Sequence, residues 1–336
     1  MKRLLATSIL AFSALSAQAA ESQVNIYSFR QPFLIKPILE QFTKETGIKT
    51  KVVFAKKGLI QRLKREGELS PADLVLTSNF SKLLELKDSG LTQPYQLTSG
   101  LSNNIAPQFR DSANHWLALT KRVRNVYSSK DRAGKLGALK YEDLAKVEYK
   151  GRICTRSGKH PYNLGLIASM IAHDGEAQTE QWLRGVKANL ARKPQGNDRA
   201  QVKAIKEGLC DVSLGNSYYY GKMIKDSKQK AWADAVYLNF PNQKGRGSHI
   251  NVSGAVMAKH APHKVAAQKL LDFLASDKAQ GLYAKLNMEY PVNPKVKPSK
   301  LVQSWGEFKA DNIALEKIAE NRQKALKLVD KVGFDL

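Results

Sequence analysis

Between residues 24 and 90 the chain alternates three times between a short apolar run at strand period and an amphipathic stretch at helix period, and no other feature restricts its fold as much. Val24-Asn25-Ile26-Tyr27-Ser28-Phe29 opens the series, and Leu34, Ile35, Ile38, Leu39 and Phe42 then recur at helical spacing up to Gly47. Pro37 fits that helix only if it lies in the first turn. Residues 49–54 predict a second strand, 59–65 a short helix, Asp73-Leu74-Val75-Leu76-Thr77 a buried strand, and 80–88 a helix stopped at Gly90. The order β-α-β-α-β-α predicts a mostly parallel sheet with helices on both faces, an arrangement that presents ligands at the carboxyl ends of strands.

After a polar, irregular stretch the pattern changes: residues 116–127 read as one long strand carrying Lys121, Arg122 and Arg124, a crossing between lobes. From Gly151 the alternation restarts, with a strand over 152–155, helices over 163–173, 176–190 and 198–207, a strand over 211–215, and then Tyr218-Tyr219-Tyr220. Strand-like residues 235–240 and 250–257, with a Gly-rich stretch between, read as the return crossing. Helices over 264–274 and 278–286, a linker with Pro291, Pro294 and Pro298, and a helix over 305–332 complete the chain. At 336 residues, 43% of them apolar, the chain exceeds the roughly 250–300 residues one core usually serves. Two α/β lobes are expected, residues 21–118 plus 248–295 and residues 119–247 plus 296–336, with a ligand cleft between them.

Lys2 and Arg3 precede an apolar run over residues 4–15 that ends at Ala17-Gln18-Ala19-Ala20, which makes residues 1–20 a secretory signal peptide. The run is shorter than the roughly 20 residues a bilayer span needs, so the expectation is a soluble, exported protein. The formal charge is +24, from 54 basic and 30 acidic side chains, and only Lys2 and Arg3 fall in the signal, so the surplus belongs to the folded part. Export and the lack of any RNA- or DNA-binding signature argue against nucleic acid as partner. Cys154 and Cys210, 56 positions apart, read as one disulfide in an oxidising compartment; a catalytic or metal-binding thiol and a buried free pair are the other readings.

Enzyme templates find no match: there is no Gly-x-Gly-x-x-Gly, phosphate-binding loop, Gly-x-Ser-x-Gly elbow or His-Glu-x-x-His. The six histidines assemble into no triad, and Pro262 and Lys259 beside His260 and His263 favour a solvated helix start over a zinc site. The unusual local feature is Tyr218-Tyr219-Tyr220, directly after a strand, where doubly wound lobes present ligands. Packing is the bland alternative. Asn216-Ser217 before and Gly221-Lys222 after the tyrosines predict a turn that exposes phenols, and an exported two-lobed chain is the arrangement of a receptor that closes on a solute.

With these residues the chain resembles the periplasmic ferric-ion-binding proteins, the substrate-binding subunits of bacterial iron(III) ABC transporters. The resemblance runs through Val24-Asn25-Ile26-Tyr27-Ser28-Phe29-Arg30, Ser70-Pro71-Ala72-Asp73, Thr120-Lys121-Arg122-Val123-Arg124 and Gly151-Arg152-Ile153-Cys154. It continues through Ala191-Arg192-Lys193-Pro194-Gln195-Gly196-Asn197-Asp198, Gly215-Asn216-Ser217-Tyr218-Tyr219-Tyr220 and Glu289-Tyr290-Pro291-Val292-Asn293-Pro294. It implies the type II periplasmic-binding-protein fold and a monomeric, non-enzymatic receptor that hands Fe(III) to an inner-membrane ABC permease. In that family two adjacent tyrosines after an Asn-Ser/Thr pair and a third at the start of a second-lobe helix hold the iron; the matching positions are Tyr218, Tyr219 and Tyr162. Ferric ion, small and hard, prefers anionic oxygen and ionises phenols whose free pKa is near 10, whereas Tyr220 is expected to pack.

Two departures from the family shape the rest of the site. Many relatives follow the first strand with His and Tyr ligands, where this chain has Gln31-Pro32, and others place a carboxylate after the third strand, where it has Ser78-Asn79. The resemblance therefore implies a synergistic anion, carbonate or similar, in the remaining coordination positions. Arg30, Arg122 and Arg124 are the anion-binding candidates through their planar fork, and the amides of Ser157-Gly158 are a lesser one. The rival readings are a receptor for another anionic or chelated ligand, on which the tyrosines stack, and an exported enzyme or adhesin.

Overall fold

The computed structural model describes residues 22–336, so the signal peptide predicted over residues 1–20 lies outside the described residues. Among the described residues the strands are β1 (Gln23–Ser28), β2 (Lys49–Phe54), β3 (Leu74–Thr77), β4 (Thr92–Gln93), β5 (Leu117–Ser129), β6 (Ile153–Cys154), β7 (Val212–Asn216), β8 (Val236–Asn239), β9 (Ile250–Ala258) and β10 (Tyr290–Pro291). The chain divides into two units. The first runs to Thr120 and takes in Val252–Asn287 and Pro291–Lys297; the second comprises Lys121–Asn251, Met288–Tyr290 and Pro298–Leu336. Among the described residues no helix is long and apolar enough to cross a membrane.

In the first unit β1 pairs in parallel with β2 on one side and β3 on the other, and β9 runs antiparallel to β3 and also pairs with the short β4. Val24 and Ile26 of β1 are buried, and the helix Pro32–Thr46 turns Ile35, Ile38, Leu39 and Phe42 inward before Gly47 stops it with φ +72°. Pro37 lies beyond the first turn, contrary to the sequence expectation, because Pro32 already occupies the helix start; the buried apolar stripe carries the helix past the missing N–H. β2 forms the sheet's edge, with Lys49, Lys51, Val52 and Val53 exposed.

The second unit's strand order is β8-β5-β7-β6. There β6 and β7 run parallel, while β5 is antiparallel to both β7 and β8, so this sheet is less parallel than the alternation predicts. The difference lies in the crossing strand itself: β5 enters from the first unit, and its residues Val126–Ser128 pair with β7 on one edge and β8 on the other, antiparallel to both. Cys154 and Cys210 form a disulfide with Cα atoms 5.8 Å apart, between the end of β6 and the residues leading into β7. It sits in a core with Tyr127, Val202, Ile205, Met223 and Val236.

Two local expectations need correction. The predicted closing helix over 305–332 is broken: only Leu315–Glu320 and Arg322–Val332 are helical in that stretch, because Gly306 has φ +95° and Ser248 takes Lys309 and Asp311 into backbone hydrogen bonds of 2.9 Å each. Met288–Tyr290, assigned to the first lobe from sequence, belongs with the second unit. Met288 packs on Gly221 and the Tyr290 ring meets Phe308 edge-on at 4.8 Å.

Candidate metal centre

Two strand-to-helix arms of the second unit carry the tyrosines. On the first, β7 ends at Asn216 and Ser217 leads straight into the helix Tyr218–Lys225, so the three tyrosines form a helical first turn and not the exposed turn expected from the flanking residues. At 3.6 residues per turn, consecutive side chains point about 100° apart. That rotation separates their roles: Tyr220, half-buried, packs against the core, its ring 6.2 Å from Tyr127 and 5.7 Å from Trp305, as its assignment to packing anticipated. Tyr218 and Tyr219 stack with ring centroids 4.1 Å apart. A Cβ on Gly221 would come within 2.8 Å of Met288 and 3.0 Å of Trp305, so glycine at this position lets the tyrosine helix settle on its neighbours.

The second arm leaves β6 through Thr155, Arg156 and Ser157 into the helix Pro161–Asp174. Pro161 suits the first helical position, and His160 caps it, its Nδ1 accepting the Tyr162 N–H at 3.2 Å. Burial first, and then Arg156, hold the His160 imidazole down to about 3, which keeps the ring neutral and able to accept. Asn163 fastens the arm from inside: its Nδ2 donates to Thr155 Oγ1 and to the carbonyls of Arg156 and Ser157 at 3.0–3.1 Å. Tyr162 then presents its hydroxyl 3.3 Å from that of Tyr218. A cation about 2.0–2.1 Å from each of two cis octahedral ligands spaces their oxygens about 2.9 Å apart, so these two need approach by only a few tenths of an ångström.

Asp198 ties the arms together. It is fully buried; Oδ2 accepts from Arg124 Nη1 at 2.7 Å and from the Asn216 amide at 3.0 Å, and Oδ1 accepts from Arg156 Nη1 at 3.1 Å. Arg124 is thereby removed from the anion-binding candidates. Its other bonds go to Asn163 Oδ1 at 2.6 Å and Asn216 Oδ1 at 3.2 Å, so the guanidinium is an internal strut, 2% exposed, that joins both arms. The amides of Ser157-Gly158 are corrected likewise: the Asp335 carboxylate accepts from Ser157 Oγ at 2.6 Å and from the Gly158 N–H at 2.7 Å.

Positive charge surrounds the phenols. Arg156 lies 5.3 Å from the Tyr162 ring centroid, Arg199 5.9 Å from Tyr219, and Arg122 6.0 Å from Tyr218, which Lys222 also approaches at 5.1 Å. Burial is the main cause that pushes the Tyr218 phenol well above its ordinary value, with Tyr162 and Tyr219 adding to it and Arg122 opposing. Burial, followed by Tyr162 and Asp198, raises Tyr219 to about 12. Both phenols keep their protons at neutral pH, and only a strongly polarising cation displaces them.

Of the two other arginines predicted from sequence, Arg122 belongs to this unit and sits beside Tyr218, with Glu289 Oε1 3.9 Å from its Nη1. Arg30 belongs to the first unit, buried at the end of β1 with its guanidinium 5.6 Å from the Tyr283 ring centroid. Sequence reasoning missed Arg156, His160, Asn163 and Arg199 as neighbours of the tyrosines. Asn197-Asp198 did stand within a quoted motif, and its helix-capping pattern was the available signal. Among the described residues no three His, Cys, Asp or Glu side chains group in a metal-binding arrangement.

Residues 38–310 match the family described as bacterial extracellular solute-binding protein. The iron uptake protein A1 of Synechocystis sp. is 39% identical over 317 residues, 94% of this chain and 88% of that protein. The crystal structure of Mannheimia haemolytica ferric iron-binding protein A in an open conformation aligns at 56% identity with TM-score 0.90, covering 94% of this chain and 99% of the other. A Trichodesmium protein solved in complex with iron and citrate ligands aligns at 37% identity with TM-score 0.88, covering 93% and 99%.

Proposed function

Since the chain belongs to the bacterial extracellular solute-binding proteins, a family of receptors with the type II binding-protein fold and not of enzymes, we propose that its cargo is ferric ion held by the phenolate oxygens of Tyr162, Tyr218 and Tyr219. The observation that carries this reading is the meeting at 3.3 Å of the hydroxyls of Tyr162 and Tyr218, 56 positions apart and on different arms, with Tyr219 stacked on Tyr218. Three phenolates cancel a triple charge, and a divalent ion gains less from the same oxygens, which is a basis for selectivity. The relatives' names, iron uptake protein and ferric iron-binding protein, agree with that chemistry. The receptor works in the periplasm and passes Fe(III) to an inner-membrane ABC permease without itself catalysing a reaction.

Three phenolates leave about half of an octahedron to other oxygen donors. A small anion, carbonate or a carboxylate, completes it, and the Trichodesmium relative's iron and citrate ligands make such a companion chemically reasonable. Arg122 beside Tyr218 is the arginine of the second unit proposed to bind the anion. Arg30 is the second proposed anion ligand.

Visible spectroscopy tests the reading. Phenolate-to-ferric charge transfer should colour the iron-loaded protein, and Tyr162→Phe, Tyr218→Phe and Tyr219→Phe should each lose or strongly weaken the band while Tyr220→Phe keeps it. An unchanged band in any of the first three removes that residue from the metal. Iron uptake should also be weaker in carbonate-free buffer and restored by bicarbonate, with Arg122→Ala or Arg30→Ala blunting the restoration; equal affinity in both buffers would refute the anion.

A further inference from the structure

We propose that Asp335, next to last in the chain, is a positioning residue for the iron site: its carboxylate holds the Ser157-Gly158 loop and, through it, the Tyr162 ligand. The inference rests on the reading of Tyr162 as a ligand. Both carboxylate oxygens face the loop, one accepting from Ser157 Oγ at 2.6 Å and the other from the Gly158 amide at 2.7 Å. Contacts with an ionised acceptor at these lengths belong to the stronger hydrogen bonds in proteins.

The loop and the chain end are also shaped to each other. A Cβ on Gly158 would come within 2.8 Å of Phe334 Cδ1 and 3.0 Å of Val329 Cγ1, so glycine is what permits the approach. Phe334 is buried, and it lines the same small interior void as Asn163 and Leu166 of the Tyr162 helix. Lys159 Nζ reaches Asp330 Oδ1 at 2.5 Å and adds a tie at the rim. From the loop the route to the ligand is short. The Ser157 carbonyl accepts from the His160 amide and from Asn163 Nδ2, each at 3.1 Å, and His160 in turn takes the Tyr162 amide. A support of this kind acts by holding a ligand's backbone within a fraction of an ångström of its working place.

A thermodynamic cycle on the full chain separates this role from general stabilisation. The variants are Asp335→Ala, Asp335→Asn, Tyr162→Phe and the Asp335→Ala/Tyr162→Phe double, with Asp335→Ala/Tyr219→Phe as control. Each is loaded with ferric ion, and the rate of iron loss to excess EDTA is followed through the charge-transfer band or, for variants without the band, by EDTA-bound iron. Losing the equivalent of one charge-assisted bond predicts that Asp335→Ala speeds iron release about tenfold. Asp335→Asn, which keeps an acceptor and guards against a folding defect, should speed it about threefold. In the Tyr162→Phe background the same change should add nothing, whereas in the Tyr219→Phe background the full effect should persist. An unchanged rate in Asp335→Ala, or an equal acceleration in the Tyr162→Phe background, overturns the proposal while leaving Tyr162 as a ligand. A Tyr162→Phe protein with wild-type band and release rate overturns the ligand reading itself.

Discussion

Replacing Asp198 by asparagine isolates one buried charge on which both tyrosine arms depend. The amide oxygen can take the place of Oδ2 and still accept from the Asn216 N–H and Arg124 Nη1, so what is lost is the counter-charge: the Arg124 guanidinium stays 2% exposed among the neutral oxygens of three amide side chains, and Arg156 Nη1 faces an NH2 group in place of Oδ1. Leaving a buried cation without its counter-charge costs about 3–5 kcal/mol, a large share of the roughly 5–15 kcal/mol that holds a domain folded. For a unit of this size a melting point falls by roughly 2–4 °C per kcal/mol, so Asp198→Asn should melt about 6–20 °C lower, read by circular dichroism and checked by urea unfolding. Removing both partners, as in Asp198→Asn with Arg124→Met, should cost less than Asp198→Asn alone, because the more deeply buried of the two orphaned guanidiniums is gone and Arg156, 11% exposed, keeps some access to water. A loss below about 1 kcal/mol, or a double variant that loses the sum of the two single losses, would show that the pair is not the strut its geometry implies.

Three further outcomes are expected. Cys154→Ser should lose stability by about 4 kcal/mol, the loop-closure value for a 56-residue separation, yet keep the ferric band; loss of the band with an intact fold would place a sulfur in the iron chemistry. His249 is buried, and chiefly for that reason its pKa is held down to about 4, below its unfolded value near 6.5. The unfolded chain then binds the proton first, so the stability His249 confers is complete above about pH 6.5 and falls by about 1.4 kcal/mol per pH unit towards pH 4; His249→Gln should flatten the urea midpoint across that window, and an unchanged slope would refute it. Iron affinity should drop steeply in mild acid, by up to about three orders of magnitude per pH unit if three phenols give up protons on binding; a proton-release measurement near zero would contradict phenolate ligation.

Much of this was legible in the sequence because the periodicities are local. The strands and helices of residues 24–90 follow from apolar spacing and glycine stops, and the Cys154–Cys210 pair follows from export and an even count. What was not legible depended on contacts distant in sequence. Arg124 and Arg122 alternate on the same strand and look equivalent; only the buried carboxylate of Asp198, brought up by a helix 74 residues on, makes one a strut. The Ser157-Gly158 amides resemble an anion site until the chain end supplies Asp335. The three tyrosines look like a turn because Gly221-Lys222 is a turn signal, and the glycine turns out to serve close packing against Met288 and Trp305. Helix propensity and turn propensity disagree there, and tertiary packing decides.

The exposed rim of β2 gives Lys49 and Lys51 a consequence that has nothing to do with iron chemistry. A six-residue strand at a sheet edge, with Val52 and Val53 partly in solvent, is a template on which a second molecule can add its own strand. In-register stacking of two copies would set Lys49 and Lys51 against their counterparts, and directly opposed like charges disfavour pairing by about 0.2–1 kcal/mol each. Two molecules thus repel one another along an edge where they would otherwise pair.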